Sequence, residues 1–439
     1  MSTGHLIQNN LMRDFGTYQT AGGFQNMGGG VQLQNTHYAY IANNVMENVR
    51  FGVQTNNFRF ANPTSAAYGI SNNVIKARAI GIQYNSHLIA PWQIDGNTIQ
   101  AVNSSNEMSI AGTTWRGIQV LNMTAGIGNT RVLSNTIDAQ ALEFIGSEGI
   151  TVWNVPETAL VEVVGGSITG TSIGVHVNNF EGNNLNATRG AYATLRGVTI
   201  AARTIGVRVN DSTRSTHVTV SVALDDGVTI QNGAQGVSIE NASARVSRIQ
   251  NVAFNGQVGN YIQLISNTAN LDATNATFDG VSLANGTVAA YFGIEDKIQH
   301  KQDSSALGLV RVKANQLFTT ASGSIQRTVD NATSGDIIHV QAGTYAGAVT
   351  INKSVDVRGP NYGVSATGTR GAEAVLVPAT TNVDEGIIVT LDASDVSFDG
   401  FTVDGDNPAL ASNGLGFNGA DQHAAEGIVS VSDSVQRAT

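Results

Sequence analysis

The sequence predicts an all-β chain of stacked parallel strands, and three observations predict it. Only 13% of the 439 residues are charged, while Gly is frequent at 49, a composition typical of β-rich chains with many tight turns. Apolar and polar residues alternate with a period of two, which is the spacing of a strand and not of a helix. Two short phrases also return along the chain, which indicates a repeat architecture.

The first phrase is Asn or Gly, then a small or β-branched residue, then an apolar residue, as in NNVM, NNVI, GNTI and GVTI. Its apolar residue marks a register position, and successive register positions are 24 to 38 residues apart. This variation requires only loops of different length between strands of constant geometry. The register residues are Met12, Met46, Ile75, Ile99, Ile137, Ile168, Ile200, Ile230, Phe254 and Phe278.

The second phrase is Gly, apolar, polar, apolar, as in GVQT, GIQY, GIQV and GVRV. In five repeats, its first apolar residue lies seven residues after the register residue, as Val53 does after Met46. Two phrases that keep their mutual offset while the overall period drifts indicate two strands joined by one short turn. The sequence therefore predicts stacked turns of chain, each adding a strand to each of two or three parallel sheets.

On these phrases, the chain resembles the right-handed parallel β-helix (β-solenoid) family, which has the pectate-lyase-like fold. The resemblance implies a right-handed parallel β-helix, here as part of the repeat region of a large bacterial surface or secreted adhesin-like protein. The family also contains pectate lyases, polygalacturonases and epimerases, so it also implies that a polysaccharide-acting enzyme must be considered.

The repeat phrases stop after Phe278, and the residues that follow divide the chain. We expect a first parallel β-helix over residues 1–290, a charged and solvated capping and connecting segment over 291–320, and a second parallel β-helix over 321–439. The first has no recognisable start and the second has no end cap. We therefore expect the chain to be one frame of a tandem array of similar units.

A short capping helix is predicted near residues 324–332, where apolar residues share one helical face. Ser322 or Ser324 can cap its N-terminus, and Gly335 can end it. Strand-like stretches such as GDIIHV and SVDVRG follow at once. In the family that the chain resembles, such a helix often closes the first coil of a β-helix.

An asparagine stands two residues before each of the first five register residues. Alternation directs this side chain inward, and a stacked amide can donate to one neighbour and accept from the other. We predict a structural asparagine ladder that gives way to an aliphatic stack at Val198, Val228 and Val252. The ladder residues are Asn10, Asn44, Asn73, Asn97 and Asn135.

The polar residue of the second phrase should point outward, and it forms a column without any acid. We predict an exposed stripe that could bind a glycan, with a solvated face that binds nothing as the alternative. The stripe residues are Gln83, Gln119, His176 and Arg208.

Enzyme chemistry on polysaccharides needs paired carboxylates, or bound Ca²⁺ with a nearby basic residue. The best local pair is Asp225–Asp226, but the Gly-His-Gly and Arg-x-Lys sequences of polygalacturonases do not occur. We therefore interpret the pair as a turn before a strand, and DQHAAEG around His423 as a loop. Thr columns at irregular spacing argue against ice binding. No catalytic residue is predicted.

The acid-rich stretch 383–408 could supply oxygen ligands to Ca²⁺. It lacks the EF-hand spacing and the nonapeptide of calcium-binding β-rolls, so turn aspartates are the favoured interpretation. No other cofactor or metal is expected. The candidate calcium ligands are Asp384, Asp392, Asp395 and Asp399.

Charge and hydropathy exclude several partners. A net charge of −10 argues against nucleic acid, which requires a basic surface. No apolar run approaches the ~18 residues of a membrane span, and the N-terminal residues do not form a signal peptide. The absence of Cys excludes disulfides and leaves the compartment open.

We therefore expect a non-enzymatic structural or adhesive segment of a large extracellular or cell-surface protein, secreted by or attached to a bacterium. It would form a stiff rod or fibre, with neighbouring β-helix units, other copies of the protein, or glycans as partners. The alternative is a polysaccharide-acting lyase, hydrolase or epimerase, or a glycan-binding β-helix module.

Overall fold

The structure, a computed structural model, describes most of the chain as strands in parallel sheets, with two α-helices in the described part. It divides the chain into unit 1, Met1–Leu271 with Asn275–Ser282, and unit 2, Asp272–Thr274 with Leu283–Thr439. The described residues are 5–16, 18–20, 23–25, 28–34, 39–56, 69–85, 93–102, 114–142, 146–180, 190–212, 218–379, 386–407 and 422–431.

Unit 1 contains three ladders of parallel strands, in which each strand pairs with its equivalent in the repeats before and after it. Ladder A contains His5–Gln8, Ala39–Ala42, Gly69–Ser71, Gln93–Asp95, Thr130–Leu133, Val161–Val164, Ala191–Arg196, Val220–Asp225 and Ala244–Ile249. Ladder B contains Leu11–Arg13, the first halves of Val45–Asn56 and Val74–Asn85, then Thr98–Ala101, Thr136–Asp138, Ser167–Thr169, Thr199–Ala201, Thr229–Gln231, Ala253–Asn255 and Thr277–Phe278. Ladder C contains Gly29–Gln34, the second halves of the same two long strands, then Arg116–Leu121, Glu148–Trp153, Ile173–Asn179, Ile205–Asp211, Gln235–Glu240 and Ile262–Ile265.

The register of ladders B and C is the one that the two phrases predict. Each register residue from Met12 to Phe278 pairs with the next one in the series. In ladder C, Val53 pairs with Ile82 and Val175 pairs with Val207. From Met46 onward, the register side chains are buried and line the core. The predicted register and the mostly β chain of parallel sheets are therefore confirmed.

A left-handed backbone residue marks the corner between ladders A and B. This region is accessible to Gly and, less readily, to Asn, which explains why the first phrase opens on these residues. In NNVM, for example, Asn43 makes the turn and Asn44 points inward. The corner residues, with φ between 50° and 79°, are Asn9, Asn43, Asn72, Gly96, Ser134, Gly165, Gly197, Gly227 and Asn251.

The glycine of the second phrase is needed because a register side chain lies directly against it. A Cβ atom on Gly174 would lie 2.2 Å from Ile200 Cγ2 and 2.5 Å from the Gly206 carbonyl oxygen. Gly206 stands in the same relation to Ile230, at 2.3 Å. No side chain fits in these gaps, so the phrase keeps Gly where ladder C passes the core of ladder B.

Unit 2 contains three shorter parallel ladders around its own core, which includes Ile338, Val357, Leu376 and Val389. Ladder D contains Gln316–Thr319, Ile337–Val340, Asp356–Arg358 and Ser397–Asp399. Ladder E contains Gly343–Ala346, Ala374–Val377 and Thr402–Val403, and ladder F contains Val349–Ile351, Ile387–Leu391 and Glu426–Ser430.

A short helix, Ile325–Asn331, packs on the core of unit 2 close to where the sequence predicts one. Ser324 is its N-cap, and the Ser324 hydroxyl accepts a hydrogen bond from the Arg327 N–H at 3.3 Å. Ile325 and Val329 are buried in the core cluster of the unit.

A second helix, Val288–Glu295, follows N-cap Thr287 and was not predicted. Its sequence VAAYFGIE is apolar on nearly every side, so it lacks the periodicity that signals a helix. The remaining described elements are the 3-10 turn Glu157–Ala159, the antiparallel pair Tyr18–Thr20 and Gly23–Gln25, and the short strands Leu271–Asp272, Ile298–Gln299 and Val310–Arg311.

Replacing Gly174 by alanine tests the close packing of ladder B on ladder C. We expect Gly174→Ala to lower the free energy of unfolding of unit 1 by ~1–3 kcal/mol, because the new methyl group overpacks the core. Urea unfolding followed by Trp fluorescence measures this, since all three Trp residues lie in unit 1. Gly29→Ala is the matched control, because its Cβ would lie 3.6 Å from the nearest atom. Equal shifts in both variants would contradict the packing argument.

Candidate functional site

The five asparagines of the predicted ladder lie one above another in successive repeats of unit 1. The Nδ2 group of each donates to the Oδ1 atom of the next at 2.9–3.0 Å. The same Oδ1 atom also accepts the backbone N–H of the preceding asparagine, at 2.9–3.0 Å. Asn10 is exposed, whereas Asn44, Asn73, Asn97 and Asn135 are buried.

The asparagine column holds the corner of the fold. Asn73 Nδ2, for example, also contacts the carbonyl oxygens of Ser71, at 3.1 Å, and of Ile41 one repeat away, at 2.9 Å. The buried amide groups therefore form hydrogen bonds with one another and with backbone carbonyls that the turn would otherwise leave unpaired. This arrangement is suited to joining repeats and not to binding a ligand.

The column changes character after Asn135. Among the described residues, Asn135 Nδ2 bonds to two backbone carbonyls, those of Ile94 at 2.7 Å and Leu133 at 2.9 Å, and to no further amide side chain. At the next level, a Cβ atom on Gly166 would lie 2.2 Å from the Asn135 carbonyl oxygen, so glycine is required there. Above it, the column is aliphatic and buried, with Val198, Val228 and Val252.

The column predicted to be an exposed stripe is largely buried, so that prediction is wrong for its central residues. Gln119 is 2% exposed and His176 is 5% exposed. The glutamines bond to one another along the axis, with Gln83 donating to Gln119 at 2.8 Å and Gln54 donating to Gln83 at 2.5 Å. Stacking at the strand spacing lets neighbouring side chains cover each other, which removes them from solvent.

His176 is held by a carboxylate that sequence reasoning missed. Its Nδ1 atom lies 2.8 Å from Glu148 Oε1, and its Nε2 atom lies 2.7 Å from Asn210 Oδ1. Glu148 Oε2 also accepts from Arg116 Nε at 3.0 Å and from the Thr151 hydroxyl at 2.9 Å. Both carboxylate oxygens and both ring nitrogens therefore have partners on neighbouring strands of ladder C.

Glu148 is buried yet keeps its charge. Burial alone raises the pKa of this carboxyl group, but the hydrogen bond from His176 and the positive charges of His176 and Arg116 outweigh burial and lower the pKa to about 2. An ionised carboxylate in this place draws its partners together and is not poised to transfer a proton near neutral pH.

Arg208, the fourth residue of the predicted stripe, is also paired. Its guanidinium forms two hydrogen bonds with the carboxylate of Glu240, at 2.9 and 2.7 Å. Glu148 and Glu240 lie beside the predicted column rather than in it. Glu148 could have been predicted from the position just before the glycine of the second phrase. Arg116 and Glu148 occupy this position in successive repeats, so opposite charges lie side by side.

Asp225 and Asp226 do not form an open acid pair. Asp225 is buried, and Arg248 binds its two oxygens at 2.6 Å each, which lowers the pKa of Asp225. Asp226 instead accepts from Asn251 Nδ2 at 2.7 Å. The two carboxylates therefore point to different partners at the end of a ladder A strand, and the following Gly227 makes the corner.

Three of the four calcium candidates, Asp392, Asp395 and Asp399, lie in the described part of unit 2. Asp399 Oδ2 accepts the Gly363 N–H at 2.9 Å, Asp395 has a left-handed backbone with φ 54°, and Asp384 lies outside the described residues. Among the residues that the structure describes, no group of three His, Asp or Glu side chains could hold a metal ion. His423, from the segment interpreted as a loop, is buried beside Asp406, with 3.1 Å between Nδ1 and Oδ1.

The charged segment after residue 290 contains a buried polar group, although we expected a solvated connector. Glu295 Oε1 accepts from His300 Nε2 at 2.6 Å and from Gln302 Nε2 at 2.5 Å, and His300 Nδ1 accepts the Val310 N–H at 2.9 Å. Burial raises the pKa of Glu295. Burial lowers the pKa of His300, but the Glu295 carboxylate reverses this and raises it. These contacts tie the helix Val288–Glu295 to the segment that follows it.

Neither helix in the described part of the chain is long and apolar enough to cross a membrane. Comparisons with protein-family models, with curated proteins and with solved structures found no match to this chain.

Removing one amide tests the asparagine column. We expect Asn73→Ala to lower the free energy of unfolding of unit 1 by ~2–5 kcal/mol, because Asn97 Oδ1 and two backbone carbonyls lose a buried donor. Asn10→Ala is the matched control in the same column, at an exposed position, and should cost less than ~1 kcal/mol. Urea unfolding followed by Trp fluorescence measures both. A cost for Asn73→Ala no larger than that for Asn10→Ala would contradict the assigned role.

The low pKa of Glu148 predicts how stability depends on pH. A carboxyl group whose pKa is lower in the folded state stabilises that state above pH 4.5, and this contribution disappears as the pH falls toward 2. Between pH 5 and pH 2, we expect the wild type to lose about 3 kcal/mol more than Glu148→Gln does. Urea titrations at each pH measure the difference. Glu162→Gln, which removes a more exposed carboxylate 3.6 Å from Arg131, should follow the wild type. Parallel pH profiles for the wild type and Glu148→Gln would contradict the prediction.

Proposed function

We propose that the chain is a right-handed parallel β-helix in two units, with the helix Ile325–Asn331 closing the core of the second. Pairing of each strand with its equivalent one repeat away supports the β-helix, and the right-handed preference of parallel crossovers supports its hand. We propose further that it serves as a non-enzymatic, stiff structural segment of an extracellular or cell-surface protein, as the family resemblance implies.

One observation supports the structural role: polar side chains of unit 1 form hydrogen bonds and ion pairs between neighbouring repeats. Amide bonds to amide along two columns, and the charged residues of ladder C pair across adjacent strands. These bonds run along the direction in which the repeats stack. At about 4.8 Å per strand, the ladder from Met12 to Phe278 extends ~43 Å.

The state of the acids supports a structural role over an enzymatic one. Asp225 is ion-paired with Arg248, and Glu148 is ion-paired with Arg116 and hydrogen-bonded to His176. Catalysis on a polysaccharide would require one carboxyl group to hold or release a proton near the working pH. A lowered pKa at both Asp225 and Glu148 works against that.

Single-molecule pulling on the full chain tests the proposal. If repeats unravel one at a time, the extension should rise in steps of ~8–13 nm, because a repeat has 24 to 38 residues and extended chain spans at most about 3.5 Å per residue. The Asn73→Ala variant should unravel at lower force, whereas Asn10→Ala should match the wild type.

Two results would contradict a structural role. The first is extension of the wild type at negligible force without steps. The second is cleavage of a neutral or anionic polysaccharide, measured as new reducing ends, that the full chain supports and the Asp225→Asn variant does not.

A further inference from the structure

Unit 2 has a cavity of about 360 Å³ on one face of ladder D, within the size range of small-molecule sites. His339 and Arg358, which are paired neighbours on adjacent strands, line it. Val288 and Phe292 of the first helix also line it, as do Pro360 and Tyr362. None of these residues belongs to the columns described above.

Aromatic rings line the cavity and its surroundings. The His339 ring stacks on Phe318 with centroids 5.2 Å apart, and Phe318 stacks on Tyr291 at 5.0 Å. The Arg358 guanidinium lies 4.3 Å from the centre of another ring, that of Tyr362. Tyr362 is 46% exposed, so its ring presents a flat apolar surface to a molecule entering from solvent.

Arg358 is the one charged residue among the described residues that line the cavity. Arg358 binds Asp356 through Nε, at 2.7 Å, and through Nη2, while within the described residues its Nη1 forms no hydrogen bond. Lys313 adds a second cation at the far end of the ring stack, 4.6 Å from the centre of Tyr291. Burial, followed by the charges of Arg358 and Lys313, lowers the pKa of His339 to about 4, so its ring is neutral at pH 7.

The segment that contains Tyr362 is held in position by contacts of the glycines on either side of it. A Cβ atom on Gly359 would lie 2.2 Å from the Gly400 carbonyl oxygen, so the chain passes very close to the next strand connection. Asp399 Oδ2 holds the Gly363 N–H at 2.9 Å. The cavity is therefore formed before any ligand arrives, which lowers the cost of binding.

We propose that this cavity binds a small organic anion with a flat, apolar body. The body would lie between the Tyr362 ring and the apolar wall of Val288 and Phe292. A carboxylate would bind the guanidinium of Arg358 at the nitrogen that Asp356 leaves unused. This is a binding activity beyond the structural role, and it can hold or fail independently of that role.

The probe is 2-naphthoate, with neutral 2-naphthamide as the matched ligand of the same shape. Titration of the full chain by isothermal calorimetry should give one site per chain for 2-naphthoate. Affinity for 2-naphthamide should be at least about tenfold lower, because it lacks the charge-assisted hydrogen bond. Equal affinity for the two probes, or no binding of 2-naphthoate at 1 mM, a concentration on the order of a weak ligand's Kd, would overturn the proposal.

Variants locate the site. Arg358→Met should weaken 2-naphthoate binding by about tenfold or more, and should remove the difference between the two probes. Tyr362→Ala, which leaves the ion pair of Arg358 with Asp356 in place, should weaken both probes by about fivefold. Arg370→Met is the control, since Arg370 is an ion-paired arginine of the same unit that does not line the cavity. Unchanged binding in Tyr362→Ala, or an equal loss in Arg370→Met, would overturn the assignment.

Discussion

The one-repeat register of the parallel strands is the constraint on which the rest of unit 1 depends. It places every side chain about 4.8 Å from its equivalents in the neighbouring repeats, so a buried polar residue must find its partner in its own or an adjacent column. Asparagine and glutamine meet this demand by bonding to their own kind. Charged residues meet it by pairing with the opposite charge on an adjacent strand, as Arg116 and Glu148 do.

The same register couples the core to the backbone around it. From Met46 to Phe254, each bulky register residue is accommodated because the next ladder presents a glycine at the point of contact, as Ile200 shows against Gly174. The corner in turn requires a left-handed residue before each inward asparagine or valine, as at Asn43 and Gly227. The left-handed corner position, the glycine of the second phrase and the apolar register position are therefore parts of a single packing arrangement, which explains why both phrases persist while the loops between them vary in length.

The sequence alone predicted ladders B and C, because their register follows from a local pattern that recurs in each repeat. Sequence reasoning failed to predict burial, because the exposure of a column of side chains depends on the neighbouring groups that cover it. Gln119 and His176 alternate outward as predicted, yet they are buried by their stacked neighbours and by partners such as Glu148 from an adjacent column. Glu295 and His300 were expected to be solvated, but they are buried and bond to each other. No local sequence pattern indicates such a tertiary contact. The unit 2 cavity joins residues from Val288 to Tyr362, a separation that no repeat phrase spans.

The binding site that we propose lies where the columns depart from this pattern. In unit 1, the amides and charges of the columns described above bond to neighbours in the same or an adjacent column. Ladder D instead stacks unlike residues at equivalent positions: Phe318, His339, Arg358 and Asp399. Arg358 and Asp399 are opposite in charge, yet Asp399 accepts from the backbone of Gly363, and Arg358 binds Asp356 and lies over the Tyr362 ring. The irregular column therefore leaves a guanidinium edge and an aromatic face available, whereas the regular columns of unit 1 strengthen the stack.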